Sequence, residues 1–361
     1  MSRISRREFL LTVLAGMSGL AADQLLTACS PKATPVIQQA TSSQPKPTLA
    51  RPVDSQPTTA VATKPASPTT NTQPEASPTT SQSTATQTPA PIPDLVVARN
   101  GEPEAMVRQV MAALGGMERF VSKGANVIVK PNICVAYHTY EYAATTNPWV
   151  VGALVKMCFE AGAASVRVMD YPFGGTAKEA YVKSGIEEQV KAAGGEMASM
   201  PGFKYVSTDI PDGKSLHKVD VFGDILKADT LINVPIAKTH SLARLTLGMK
   251  NLMGVIRDRG AIHQNLGQRL ADLNSRLRPT LTVVDAVRVL MANGPTGGNL
   301  DDVQQMNTVI AGTDVVAADS YGTTLFGMKP DDIPYIQAGA AMGLGRSDLN
   351  NLHIQEINLA S

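Results

Sequence analysis

The sequence predicts an α/β fold: a mainly parallel sheet with helices on both faces and a small β insertion near residues 196–222. Three observations carry this. Short β-branched runs alternate with longer amphipathic runs across residues 94–361, the signature of successive strand–helix units. The strand candidates are apolar without alternation, as strands covered on both faces are. Nearly every one of them ends in polar residues, where open α/β sheets place their ligands.

In chain order, strands are expected at 126–130 (NVIVK), 165–170 (SVRVMD), 229–236 (DTLINVPI), 280–286 (TLTVVDA) and 307–312 (NTVIAG). Residues 147–163 predict a helix with Asn147 as N-cap, Pro148 in the first turn and Gly162 at its end. Within 196–222, residues 204–208 and 215–222 predict a hairpin-type insertion or an edge. Leu242, Leu245, Met249, Leu252 and Ile256 recur at three- and four-residue spacing, which predicts a helix with one core-facing stripe. Residues 314–326 and 333–342 predict two more helices.

Two segments precede this domain. Residues 1–28 read as an export signal: Arg6-Arg7 belongs to a twin-arginine run, a short apolar stretch follows, and Leu26-Thr27-Ala28-Cys29 has lipobox form. Lipidation is expected at Cys29, with the twin-arginine translocase and the lipoprotein-processing machinery as partners. Residues 29–93 read as a disordered stalk. Residues 31–93 hold 13 of the 24 prolines and no aromatic residue, too little apolar surface to offset the entropy of ordering. The expected location is the outer face of the cytoplasmic membrane, the periplasm or the cell surface, with the chain anchored by its lipid.

The full chain carries 32 Lys and Arg against 31 Asp and Glu, and removal of residues 1–28 leaves 29 of each. A neutral chain argues against nucleic acid, whose binding needs a basic face for counterion release. Cys134 and Cys158 form no C-x-x-C pattern, which argues against an iron–sulfur cluster. A disulfide between them is left open by the sequence.

The polar strand ends supply the chemistry. They are Lys130 and Asn132, Asp170, Lys238 and His240, Asp285, and Thr313 with Asp314. In an extended chain Lys238 and His240 point to one side and Thr239 to the other. His240 and His263 are candidate acid/base groups, with Lys238 as charge stabiliser and Asp285 as a further carboxylate. Lys130, Asn132, Lys250, Asn251 and Gly294 are candidate ligands for an anionic small molecule. A divalent metal at His240, His263 and Asp319 is the alternative. Cys134 is a candidate nucleophile without a paired histidine. Residues 293–299 (NGPTGGN) match neither phosphate-binding fingerprint.

In order, VKPNIC (129–134), PIAKTHSLARLTLGMKNLMGVI (235–256), His263, TVVDA (282–286), NGPTGG (293–298) and AGTDVVAADSYG (311–322) resemble the domain-of-unknown-function 362 family. The resemblance spans about residues 95–357. It implies Lys130, Asn132, Lys238, His240, Lys250, Asn251, His263, Asp285, Gly294 and Asp319 as motif positions. Some members carry ferredoxin-type cysteine clusters; this chain has none. The expected function is an exported, lipid-anchored protein binding an anionic small molecule in a Lys/His/Asp crevice, as an enzyme or as a non-catalytic binding module for a solute or cell-wall component.

Overall fold

The computed structural model describes residues 91–360, so the signal, the lipidation site and nearly all of the stalk lie outside the described residues. In chain order the elements are β1 (Leu95–Arg99), α1 (Pro103–Ala113), β2 (Asn126–Pro131), α2 (Pro148–Glu160), β3 (Ser165–Val168), α3 (Ala177–Lys183) and α4 (Ile186–Ala192). Next come β4 (Glu196–Met197), β5 (Tyr205–Asp209), β6 (Lys218–Phe222), β7 (Thr230–Val234), β8 (Ile236–His240) and β9 (Arg244–Thr246). The chain continues with α5 (Leu266–Arg276), β10 (Leu281–Leu290), β11 (Val303–Gly312), α6 (Val315–Thr324), α7 (Pro334–Ala341) and β12 (Ile354–Asn358).

Ten strands form one sheet, in the order β12-β1-β11-β10-β7-β2-β3-β4, with β8 paired to β10 and β9 to β8. Pairing is parallel from β10 through β7, β2 and β3 to β4. It is antiparallel where β11 joins β10 and β1. The fold is therefore α/β with a mixed, mostly parallel sheet. The β5–β6 hairpin forms a separate two-stranded antiparallel sheet, as the insertion predicts, whereas β4 joins the main sheet.

Alternate residues of each strand feed opposite cores. Val127 and Val129 point into a cluster with Met106, Val110, Leu154 and Val155 of α1 and α2. Ile128 points into the other cluster, with Leu270, Leu273, Val316 and Ile336 of α5, α6 and α7. Each fully buried aliphatic side chain contributes about 1.5–3 kcal/mol, so both faces need their helices. The Asn147 cap matches the sequence, its side chain accepting from the Trp149 amide (3.0 Å), and Asp314 caps the helix that follows it by accepting from the Ala317 amide (2.9 Å). No helix among the described residues is long and apolar enough to cross a membrane.

Two expectations change. The strand expected over 229–236 is two strands, β7 and β8, interrupted at Pro235, which has no amide to give the ladder. The helix expected along 242–256 is instead a tight hairpin into β9, pairing His240 with Arg244 and Lys238 with Thr246. A short helix, Gly248–Asn251, and a 3₁₀ turn follow. Arg244 makes the hairpin turn at φ 64°. The apolar spacing was real, since Leu245, Met249, Leu252 and Ile256 are all buried, but three short elements satisfy it. Leu242, at the hairpin turn, is exposed.

Candidate functional site

From β2 the chain moves outward through β3 to β4, then returns to place β7 on the opposite side of β2. The carboxyl ends of β2 and β7 thus flank the point where strand order reverses, the place where open α/β sheets leave a crevice. The sequence puts Lys130 at the end of β2, Asn233 near the end of β7, and Lys238 on β8, which continues past Pro235.

The three lysines are buried and differ in their partners. Lys130 is fully buried; its Nζ lies 2.8 Å from Asp170 Oδ1 and donates to the Pro131 carbonyl and to Asn251 Oδ1, both at 2.9 Å. Burial pulls its pKa down to about 8 against the opposing pull of Asp170. Lys238, also buried, donates to Asn132 Oδ1 (3.0 Å) and the Ala144 carbonyl (2.6 Å). Burial lowers its pKa, while the Cys134 thiol beside it acts the other way. Lys250 is 9% exposed, and among the described residues the one acceptor within reach of its Nζ is Met253 Sδ at 3.6 Å. Burial, then the charge of Lys238, brings its pKa down to about 7.

Asparagines tie these lysines together. Asn132 Nδ2 donates to Asn251 Oδ1 (3.0 Å), and Asn251 Nδ2 to Asn233 Oδ1 (2.9 Å) and the Lys130 carbonyl (3.2 Å). Asn233 Nδ2 in turn donates to the Gly248 carbonyl (2.9 Å). Each amide both gives and receives, which fixes its orientation and that of the lysines it touches. Gly254 packs flat on the Lys130–Asp170 pair: a methyl at its Cα would overlap Asp170 Oδ1 and crowd Lys130 Nζ. Asp170 Oδ2 also accepts from the Ile133 amide at 2.7 Å, joining the loops after β2 and β3.

The expected carboxylates stand elsewhere. Both oxygens of Asp319 accept backbone amides at the start of the short helix, Gly248 (2.6 Å) and Met249 (2.8 Å). Both oxygens of Asp285 accept amides too, from Asn147 (2.7 Å) and Val287 (3.0 Å). Burial lifts their pKa values to about 7 and about 6 against these bonds. Asp319 positions the turn that presents Lys250 and Asn251, and Asp285 holds the start of α2; among the described residues neither lies within 4.0 Å of a lysine amine. Gly294 fits beneath the backbone of Thr239, where a side chain would collide with the Thr239 carbonyl, and its amide donates to Thr239 Oγ1 (3.2 Å). It anchors a loop to β8.

His240 is not the expected base. Its Nδ1 accepts from the amides of Leu242 (3.1 Å) and Ala243 (3.3 Å), which leaves the proton of the neutral ring on Nε2. Burial, then Lys250, Lys238 and His263, drives its pKa down to about 3. It is a neutral ring offering one N–H, and neither nitrogen has a lone pair free for a metal. His263 is exposed in the turn Gly260–His263; its pKa is lowered by burial and by Lys250. The expected metal set is not formed: among the described residues no three His, Cys, Asp or Glu side chains are grouped to hold a metal. Cys134 and Cys158 are free, buried and in separate clusters, so the optional disulfide is not formed.

The structure therefore gathers Lys130, Asn132, Lys238, Lys250 and Asn251 and adds Asp170, Asn233 and Gly254. Among the described residues Asp170 is the one carboxylate within 4.0 Å of any of the three lysines. Asn233 and Gly254 were missed because an asparagine inside a strand and a glycine inside an apolar run carry no signal without the third dimension.

Residues 127–324 match the model of the family described as Domain of unknown function (DUF362), and the chain belongs to that family. A thylakoid-associated protein of Synechocystis sp. is 27% identical over 249 residues, covering 66% of this chain and 75% of the relative. Among solved structures, the lactate racemase apoprotein of Thermoanaerobacterium thermosaccharolyticum aligns over 64% of this chain and 56% of its own, with 12% identity and a TM-score of 0.39. A protein from Thermotoga maritima aligns over 63% and 60%, with 13% identity and a TM-score of 0.38. The chain spans less than two thirds of either of these two chains.

Proposed function

We propose that the domain binds a small organic or inorganic anion in the lysine crevice and that Lys250 exchanges a proton with it. One observation carries this: Lys250 is a nine-tenths buried amine with no oxygen acceptor among the described residues. A buried ammonium left unpaired is costly, and an anion entering beside Lys250 supplies the missing partner. Lys130 and Lys238, already held by neighbours, would provide a fixed positive field. With its pKa near 7, Lys250 is divided between amine and ammonium at neutral pH, the condition for efficient proton transfer. Anion binding favours the ammonium, so binding above pH 7 takes up a proton.

Calorimetry with acetate and with inorganic phosphate tests this. At pH 6.5 the wild type is expected to bind at least one of them, and Lys250→Met to bind it at least tenfold more weakly. Wild-type affinity is expected to fall by up to tenfold per pH unit above about 7. Equal binding by Lys250→Met would sink the reading.

A second reading, binding without turnover, is favoured by the hydrogen bonds: His240 Nδ1 and both expected aspartates already accept backbone amides. Ligands retained through native purification separate the two. Incubated in D₂O with the protein and returned to H₂O, a ligand that exchanges a carbon-bound proton with Lys250 keeps deuterium; an unchanged mass favours the binding module.

We also read the protein as exported by the twin-arginine route and anchored through a lipid on Cys29, with residues 29–93 as a stalk. The support is Arg6-Arg7, the short apolar run and the lipobox; the name of the Synechocystis relative is in keeping with a membrane setting. Cys29→Ala is expected to move the protein from the membrane to the soluble fraction; if it stays with the membrane, the anchor is wrong.

A further inference from the structure

A cavity of about 380 Å³ opens beside the lysine crevice, lined by Tyr171, Phe173, Tyr205, Ile256, Arg257 and Arg259 among others. Tyr171 directly follows Asp170, and the Arg259 guanidinium donates to the carbonyls of Tyr171 and of Gly254, the latter at 3.5 Å. Gly254 is the glycine packed on the Lys130–Asp170 pair, so Arg259 links the cavity wall to the lysine cluster.

The lining combines two chemistries. Tyr171 and Phe173 are 51% and 65% exposed, although only 4% of the chain is aromatic. Contiguous exposed aromatics in one recess mark a binding surface more often than they occur by accident. Each of two rings carries a guanidinium: Arg259 lies 5.2 Å from the Tyr171 ring centroid and Arg257 5.0 Å from that of Tyr205. Stacking spends the face of a guanidinium and leaves edge N–H groups to donate. Arg257 has Asp220 at 3.5 Å, while Arg259 has no carboxylate within 4.0 Å among the described residues. Its charge adds to the surplus of the crevice.

Resting on the anion reading above, we infer that the ligand is an aromatic acid, a carboxylate or phosphate ester whose planar ring lies among Tyr171, Phe173 and Tyr205 and whose acid group meets Arg259 at the entrance to the lysine crevice. The volume suits a bicyclic ring. A flat ring can stack on the aromatic walls where a puckered one cannot, and a neutral ring would leave Arg259 without its counter-charge.

The test titrates the full-length protein at pH 6.5 with 2-naphthoate, 2-naphthyl phosphate, their decahydro counterparts, 2-naphthamide, acetate and inorganic phosphate. At least one naphthyl acid is expected to bind tenfold or more tighter than its decahydro counterpart and than 2-naphthamide. The head group of the tighter one distinguishes carboxylate from phosphate. Tyr171→Leu and Arg259→Gln, both at accessible positions, should each weaken that acid about tenfold while Tyr171→Leu leaves the small anions within threefold. Failure of both naphthyl acids to outbind their decahydro counterparts, or indifference to Tyr171→Leu, overturns the aromatic assignment. Small-anion binding that still depends on Lys250 would leave the crevice reading intact in that event, whereas small-anion binding indifferent to Lys250→Met removes the crevice reading itself.

Discussion

Gly254 shows how far one residue determines the site. The ion pair of Lys130 and Asp170 is shielded from water, and such a pair holds only while its geometry is kept. The missing Cβ of Gly254 is what lets the chain close over it. Gly254→Ala must push Asp170 away or lift its own turn. We expect a loss of about 3 kcal/mol in urea unfolding, from overpacking together with a disturbed buried charge; a loss under 1 kcal/mol would show that the turn yields freely. At this scale the sequence was a partial guide. Lys130, Lys238 and Lys250 were legible because charged residues at apolar strand ends stand out. Which lysine lacked a partner was not, because pairing depends on Asn132, Asn251 and Asp170 arriving from three separate segments.

Among the elements, the short helix Gly248–Asn251 does most to shape the lysine cluster. It presents Lys250 and Asn251, and its first two amides are held by Asp319 from α6. Four residues cannot sustain a helix by themselves, so its place depends on that carboxylate. Asp319→Asn puts an NH₂ where one amide needs an acceptor. The expected result is a loss of about 2–3 kcal/mol in urea unfolding and at least tenfold weaker anion binding with an unchanged far-UV spectrum. Wild-type anion binding in this variant would show that the turn holds itself. The same segment exposes the limit of periodicity: apolar residues three and four apart describe buried contacts, and a hairpin, a helical turn and a 3₁₀ turn can make them as well as one helix. Strands such as β2 and helices such as α2 and α6 were readable because a single element accounts for each run and its cap.

For the whole molecule, the buried amines set a pH dependence. The folded-state pKa values of Lys250 and Lys130, about 7 and about 8, lie below the ordinary lysine value of 10.5. Between these limits the unfolded chain binds more protons, so stability rises with pH. Between pH 7.5 and 8.5 Asp285 and Asp319 have mostly finished titrating, and Cys158, held up to about 12, has not begun in the fold. Unfolding free energy of the unliganded protein should climb by about 1–2 kcal/mol per pH unit there, and Lys250→Met should remove part of the slope. A flat profile in the wild type would mean that the amines stay charged in the fold. The sheet order has a mechanical consequence as well. β1 is bonded along all five residues on both sides, to β11 and to β12. A pull along its axis must shear two ladders at once instead of opening them bond by bond. β11 and β10 stand between that strand and β8, and β7 also between it and β2, so a pull entering at Leu95 meets the sheared ladders before it reaches the strands that carry Lys130 and Lys238.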